Sequence, residues 1–137
     1  LINSTFILSN CDILIEEDYE KILNHHKKAD NLITMVCSLK NITIPYGVVE
    51  ISDNGEIDEI REKPELSFFT NTGFYVVEPQ IIEELGYNEC VSFPEIIEKC
   101  KKDGGKVGVY PISEYSWLDM GQLDEMERMK RRLGYDD

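Results

Sequence analysis

Long apolar runs are missing from this sequence, and with none near the length of a bilayer-spanning helix no membrane partner is expected. Positive charge is scarce: 14 Lys and Arg stand against 27 Asp and Glu, a formal net charge of −13. Binding a nucleic-acid backbone depends on clustered Lys and Arg, so nucleic acid is not an expected partner either. Cysteine is sparse, and Cys11, Cys37, Cys90 and Cys100 form neither a CxxC pair nor a zinc-like spacing with His25 and His26. A disulfide framework is therefore not expected. Free, mostly buried thiols and the lack of a secretory leader suit a reducing, cytoplasmic setting. Cys11 has no identifiable base beside it, which argues against a thiol nucleophile. Internal repeats, low-complexity tracts and linkers are also absent.

What is present fits one domain. A length of 137 residues with 42% hydrophobic content is enough to bury a core. Leu1 is not an initiator Met, and a strand-like run begins almost at once. The expectation is a piece of a longer protein with at least one element upstream.

Residues 5–9 read as a buried strand and residues 16–28 as a helix, with Ile15, Tyr19, Ile22, Leu23 and His26 on one face. One of the adjacent His25 and His26 is expected half-packed and the other exposed, since neighbouring helix residues point apart. Leu32–Cys37 is a second β-branched run, and strand–helix–strand predicts parallel strands with a right-handed crossover. Tyr46–Ile51 and Glu56–Glu62 flank Asp53-Asn54-Gly55, a hairpin signal because Asn and Gly tolerate positive φ. Pro64 stops that hairpin. Phe68–Val77 follows as a strand, then a short helix after Glu78-Pro79 carrying Ile81, Ile82 and Leu85. The helix over 93–103 has a Ser92–Glu95 capping box, Pro94 in its first turn and Gly104-Gly105 after its end. Lys106–Pro111 reads as a strand. A last helix begins near Gln122 and presents Leu123, Met126, Met129 and Leu133, with acidic Asp124 and Glu125 at its start and basic Arg131 and Arg132 at its end.

The chemistry-bearing residues punctuate this α/β pattern. Asp12 ends the first apolar run, and Asp119 lies far downstream in Trp117-Leu118-Asp119-Met120-Gly121. A carboxylate just past a strand faces the crevice where open α/β sheets bind ligands. Two such groups converging make a hard-oxygen site for Mg²⁺, which keeps waters and accepts phosphate oxygens. Each residue alone has a plainer reading. Asp12 could form a turn or cap a helix, and Asp119 could start the last helix. Gly47 could be a bulge at a strand start or a place where a ligand touches backbone. Glu62-Lys63-Pro64 could be a charged strand end, or Glu62 could accept from sugar hydroxyls while Lys63 neutralises a phosphate. Asn71-Thr72-Gly73 could be a polar turn or a wall of amide and hydroxyl groups against a polyol.

Taken in order, Asn10-Cys11-Asp12, Tyr46-Gly47-Val48-Val49-Glu50, Glu62-Lys63-Pro64, Asn71-Thr72-Gly73-Phe74-Tyr75, Lys106-Val107-Gly108-Val109-Tyr110-Pro111 and Trp117-Leu118-Asp119-Met120-Gly121 closely resemble the sugar-1-phosphate nucleotidylyltransferases. The resemblance runs from about residue 5 to about residue 130. It implies an α/β fold, part of a Rossmann-like nucleotide-diphospho-sugar transferase fold with a mixed, mostly parallel sheet and flanking helices. It also implies transfer of a nucleotidyl group from a nucleoside triphosphate to a sugar 1-phosphate, releasing pyrophosphate. Asp12 and Asp119 would hold Mg²⁺, Gly47 and Glu62 would contact the sugar, and Lys63 would bind its phosphate. Asn71 and Thr72 would line the sugar pocket, with Gly73 allowing close approach.

Two departures matter. The family's Gly-rich, Arg- and Lys-bearing triphosphate loop is not in these residues, so the expected unit over 1–137 is the C-terminal part of a catalytic domain, inactive alone. Asn10-Cys11-Asp12 stands where many members carry Gly before the Asp, which favours GTP and a GDP-mannose-like product. The competing readings are a nucleotide-sugar-dependent glycosyltransferase, which leaves Glu62-Lys63-Pro64 unexplained, and a silent regulatory homologue, against which Asp12, Lys63 and Asp119 speak. The sequence leaves monomer and homo-oligomer open.

Overall fold

The computed structural model describes residues 2–83, 85, 86, 88 and 90–135, apart from the side chains of residues 123–125. Strand β1 (Phe6–Ser9) leads into a short β2 (Ile13–Ile15), helix α1 (Tyr19–Ala29) and the long β3 (Ile33–Thr43). A hairpin of β4 (Gly47–Ile51) and β5 (Ile57–Glu62) precedes a second long strand, β6 (Glu65–Val77). Helices α2 (Gln80–Glu83) and α3 (Phe93–Lys102), strand β7 (Val107–Ile112), a 3-10 turn at Glu114–Ser116, β8 (Trp117–Asp119) and α4 (Leu123–Arg132) complete the chain.

The main sheet is mixed, in the order β1-β6-β3-β7. β6 runs antiparallel to both β1 and β3, and β7 runs parallel to β3. Three of the four strands thus point one way. β1 and β3 share a direction, as strand–helix–strand predicts, but β6 is inserted between them. That insertion is invisible to local pattern because β6 lies far downstream.

Both faces of the sheet are covered. Ile33, Tyr75 and Val77 pack with Ile81 of α2 and Ile96, Ile97 and Cys100 of α3. Val36, Phe74, Val76 and Ile112 pack on the other side with Ile15 and with Ile22 of α1. Alternation along Phe74-Tyr75-Val76-Val77 feeds both layers, which is why this stretch is apolar without a break.

The helix boundaries follow their capping chemistry. α1 starts at Tyr19, later than the periodicity suggests, because Asp18 caps it by accepting from the Glu20 and Lys21 N–H groups. Ile15 belongs to β2 rather than to the helix. At α3, the Glu95 carboxylate accepts from the Ser92 N–H and hydroxyl, each at 2.8 Å. These two bonds, the backbone one first, hold the Glu95 carboxyl below its ordinary range. α4 begins after Gln122 as expected, with Met129 buried, although Leu133 is exposed. The expected roles of Leu123, Asp124 and Glu125 fall on side chains outside the described residues.

Other expectations are corrected. β1 is a sheet edge with Ile7 and Leu8 exposed, not a buried strand. His26 is fully buried and His25 is half-buried, edge-on to Tyr110, so neither is the expected exposed histidine. The His26 ring meets Thr34 Oγ1 at 2.7 Å and Glu78 Oε1 at 3.0 Å, with Asn31 Nδ2 donating to Thr34 and the Thr5 hydroxyl donating to Glu78. This network ties α1 to the end of the sheet where β1 and β3 begin. Only Cys37 and Cys100 are buried thiols, since Cys11 and Cys90 are exposed.

Candidate functional site

The site is built by an irregularity in β6. Val36 of β3 faces Phe74, but the next residue, Cys37, faces Asn71, so Thr72 and Gly73 have no partner on β3. Such bulges re-aim side chains and end pairing beside ligand sites. The freed Val36 carbonyl is met by the buried Thr72 hydroxyl at 2.8 Å. Gly73 takes a left-handed φ of 81°. Its N–H donates to Asn71 Oδ1 at 2.9 Å, and Asn71 Nδ2 donates to the Tyr75 hydroxyl at 2.6 Å.

Pairing between β1 and β6 stops at the same place. Ser9 opposite Phe74 is the last pair, after which the Asn10 N–H donates to the Gly73 carbonyl at 3.0 Å. The chain then turns into β2, which pairs antiparallel with β8 and sets Ile13 opposite Asp119 and Ile15 opposite Trp117. One further bond, Met120 N–H to the Asp12 carbonyl at 2.9 Å, locks the end of this ribbon. α4 supports it from beyond: Arg132 pairs with Glu16 and donates to the Tyr115 carbonyl at 2.9 Å.

The result is a cleft of about 520 Å³ lined by Asp12, Asp119, Asn10, Asn71, Thr72 and Gly73, with Tyr75, Phe93, Pro94 and Trp117 as its aromatic and apolar wall. Asp12 is exposed and Asp119 is half-buried, with one Asp119 oxygen accepting from the Gly121 N–H at 2.9 Å. The two carboxylates, distant in sequence, thus line one cleft. Among the described residues no cluster of three or more His, Cys, Asp or Glu groups is poised for a metal. A pair of carboxylates without a protein cage is the donor set that Mg²⁺ accepts, because it fills its remaining positions with water and phosphate oxygens.

Gly47, Glu62 and Lys63 lie elsewhere. They come together at the base of the β4–β5 hairpin, where Gly47 faces Glu62 and the Lys63 N–H donates to the Tyr46 carbonyl at 3.2 Å. The lining of the cleft does not include them. A Cβ on Gly47 would stand 3.1 Å from Glu62 Oε2, so the missing side chain lets the carboxylate lie over the backbone. Lys63 holds a φ of 45°, unusual for a residue with a side chain and of the kind that clusters at ligand clamps. Sequence reasoning passed over Asn10, Tyr75 and Phe93 as site residues. For Asn10 the available signal was its position two residues before Asp12.

A mixed sheet with helices on both faces, and a carboxylate-bearing cleft beyond the end of β1, defines an α/β protein of the nucleotide-diphospho-sugar transferase fold. The chain belongs to the nucleotidyl transferase family, whose model matches residues 3–134. It is 27% identical to a UTP–glucose-1-phosphate uridylyltransferase of Synechocystis over 90% of this chain and 33% of that protein. It is 29% identical to a glucose-1-phosphate adenylyltransferase of Clostridium perfringens, over 92% of this chain and 35% of that one. A mannose-1-phosphate guanyltransferase of Saccharomyces cerevisiae is 26% identical over 88% and 34% respectively. The chain thus spans about a third of the length of these relatives. Among solved structures, HddC from Yersinia pseudotuberculosis superposes with a TM-score of 0.64 at 21% identity, covering 95% of this chain and 56% of HddC. The HddC complex with GMP-PN gives 0.63 at 20% identity, with the same coverage.

Proposed function

We propose that residues 1–137 form the sugar-phosphate and metal-binding part of an enzyme that transfers a nucleotidyl group from a nucleoside triphosphate to a sugar 1-phosphate. The observation that carries this reading is the β2–β8 ribbon, which brings Asp12 and Asp119 to one cleft beside a hydroxyl- and amide-bearing bulge. In the proposed reaction a sugar phosphate oxygen attacks the α-phosphorus in line. A new P–O bond forms while the bond from the α-phosphorus to the β-bridging oxygen breaks, and pyrophosphate leaves. No side-chain nucleophile is required. The obstacle is repulsion between two anions in a chain already carrying −13. Asp12 and Asp119 would hold Mg²⁺, which when bound supplies positive charge against the phosphates. Lys63 adds a point charge from the hairpin side, and Glu62 accepts from sugar hydroxyls.

The proposed triphosphate is GTP and the proposed product a GDP-hexose of the mannose type. The Asn10-Cys11-Asp12 segment and the guanyltransferase among the relatives support this, while the uridylyl- and adenylyltransferases of similar identity define the competitors. A panel of triphosphates and sugar 1-phosphates tests it, and preferred binding of another base overturns the guanine assignment.

The chain alone is proposed to bind hexose 1-phosphate with Mg²⁺ but to release no pyrophosphate, because a Gly-rich loop with Arg and Lys is not among these residues. Measurable pyrophosphate release from the purified chain would contradict that. Asp12→Asn and Asp119→Asn should each weaken Mg²⁺-dependent binding by at least the roughly tenfold that even outer-shell changes cost at metal sites. Unchanged binding at limiting Mg²⁺ would refute the two-carboxylate site.

A further inference from the structure

The polar side chains lining the cleft are not equally available to a ligand. The Ser9 hydroxyl donates to the Asn10 carbonyl at 2.9 Å. The Thr72 hydroxyl is directed away, to the Val36 carbonyl of the bulge. Asn71 is engaged at both ends, its oxygen by the Gly73 N–H and its nitrogen by the Tyr75 hydroxyl. These bonds build the bulge. Asn10, like Ser9 and Asn71, is exposed and lines the cleft, but its side-chain amide makes no hydrogen bond among the described residues.

Asn10 is nevertheless held in place. Its backbone N–H is fixed to the Gly73 carbonyl, and its carboxamide lies so close over Gly73 that a Cβ there would stand 2.5 Å from Asn10 Nδ2 and 2.8 Å from its Cγ. Gly73 therefore serves as the floor on which this amide rests. A carboxamide offers two donors and two acceptor lone pairs, which suits a sugar whose neighbouring hydroxyls each donate and accept. Asn10 also sits two residues before Asp12 on the same connecting segment, next to the carboxylate assigned to the metal.

We propose that Asn10 is a further side chain in this cleft that recognises sugar hydroxyls, beside Asn71 and Thr72, for which the family resemblance implies that role. On this assignment Asn71 and Thr72 also shape the bulge, and the amide beside Asp12 adds a contact that discriminates among hexoses. The assignment depends on the sugar 1-phosphate reading above.

The test titrates glucose 1-phosphate, mannose 1-phosphate and inorganic phosphate, each with Mg²⁺, into the wild-type chain and Asn10→Ala by calorimetry. Losing one neutral hydrogen-bonding group should weaken the preferred hexose 1-phosphate about threefold to tenfold. Inorganic phosphate, which has no sugar hydroxyls, should bind both proteins alike. A monodeoxy hexose 1-phosphate lacking the contacted hydroxyl should bind wild type as weakly as the parent sugar binds Asn10→Ala, and should be insensitive to the substitution. That measurement on wild type does not depend on how the variant folds. Equal hexose 1-phosphate affinity in the two proteins overturns the assignment, and so does an equal loss for inorganic phosphate. Wild type that binds inorganic phosphate but no hexose 1-phosphate defeats the sugar-phosphate reading itself, and the Asn10 assignment falls with it.

Discussion

Replacing Gly73 with Ala perturbs the cleft through two separable terms. The first is conformational: an L-residue forced into a left-handed backbone costs about 1–2 kcal/mol, and Gly73 sits at φ 81°. The second is steric. The added methyl would lie 2.5 Å from Asn10 Nδ2, closer than real contacts allow, and Gly73 is buried, so the amide has to move. Because the atoms met belong to the end of an exposed side chain that can swing aside, this part adds no more than about 1 kcal/mol. Together they give a destabilisation of roughly 1–3 kcal/mol, or about 4–12 °C in Tm for a domain of this size. Thermal unfolding followed by circular dichroism measures it. Asn10→Ala in the same background removes the steric part only, so it should recover up to about 1 kcal/mol and leave the backbone strain, a coupling between the two sites. Gly73→Ala melting within about 2 °C of wild type would refute the strain argument. Full rescue by Asn10→Ala would refute the conformational half.

Further outcomes are expected at other positions. Thr72→Val removes the buried donor to the Val36 carbonyl and should cost about 1–3 kcal/mol in chemical denaturation, while Thr72→Ser keeps most of the stability. Lys63→Ala should weaken hexose 1-phosphate without changing Mg²⁺ affinity; a loss confined to the triphosphate would contradict its assigned role. The Glu95 carboxyl is held low by the Ser92 N–H and hydroxyl, so its contribution to α3 is present above the ordinary Glu pKa and disappears as pH falls through the lowered value. An NMR titration should show the Ser92 amide shifting in that acidic window, and Glu95→Gln should abolish the transition. Burial pushes the Cys37 thiol up, so maleimide at neutral pH should label Cys11 and Cys90 in the native state and reach Cys37 only on unfolding.

Local physics made much of this legible in advance. The 93–103 helix was marked at its start by Ser92, Pro94 and Glu95 and past its end by two glycines, and α3 lies within a residue of that reading. Asp53-Asn54-Gly55 placed the β4–β5 turn correctly, with Gly55 at φ 83°. β2 was not legible: Ile13–Ile15 is too short to show a period, and its last residue, Ile15, reads onto the face of the helix that follows. The exposure of β1 was equally hidden, because an apolar run says nothing about whether both edges of a strand are paired. The burial of His26 depended on Thr34 and Glu78 meeting it from other elements.

The order of polar and glycine motifs by itself determined the family and named Asp12 and Asp119, since residue type and spacing are properties of the chain alone. Where those residues meet was decided by tertiary structure. The convergence of the carboxylates rests on β2 pairing with β8 across most of the chain, and the separation of Gly47, Glu62 and Lys63 from the cleft rests on a hairpin standing apart from the sheet. The difference in hydrogen bonding between Asn10 and Asn71 has the same origin. Both are asparagines lining the cleft with the same donors and acceptors, and the bulge at Thr72-Gly73 determines that the Asn71 amide is also bonded within the fold. Hydrogen-bond satisfaction depends on which groups come within about 3 Å of one another, and strand register sets that distance.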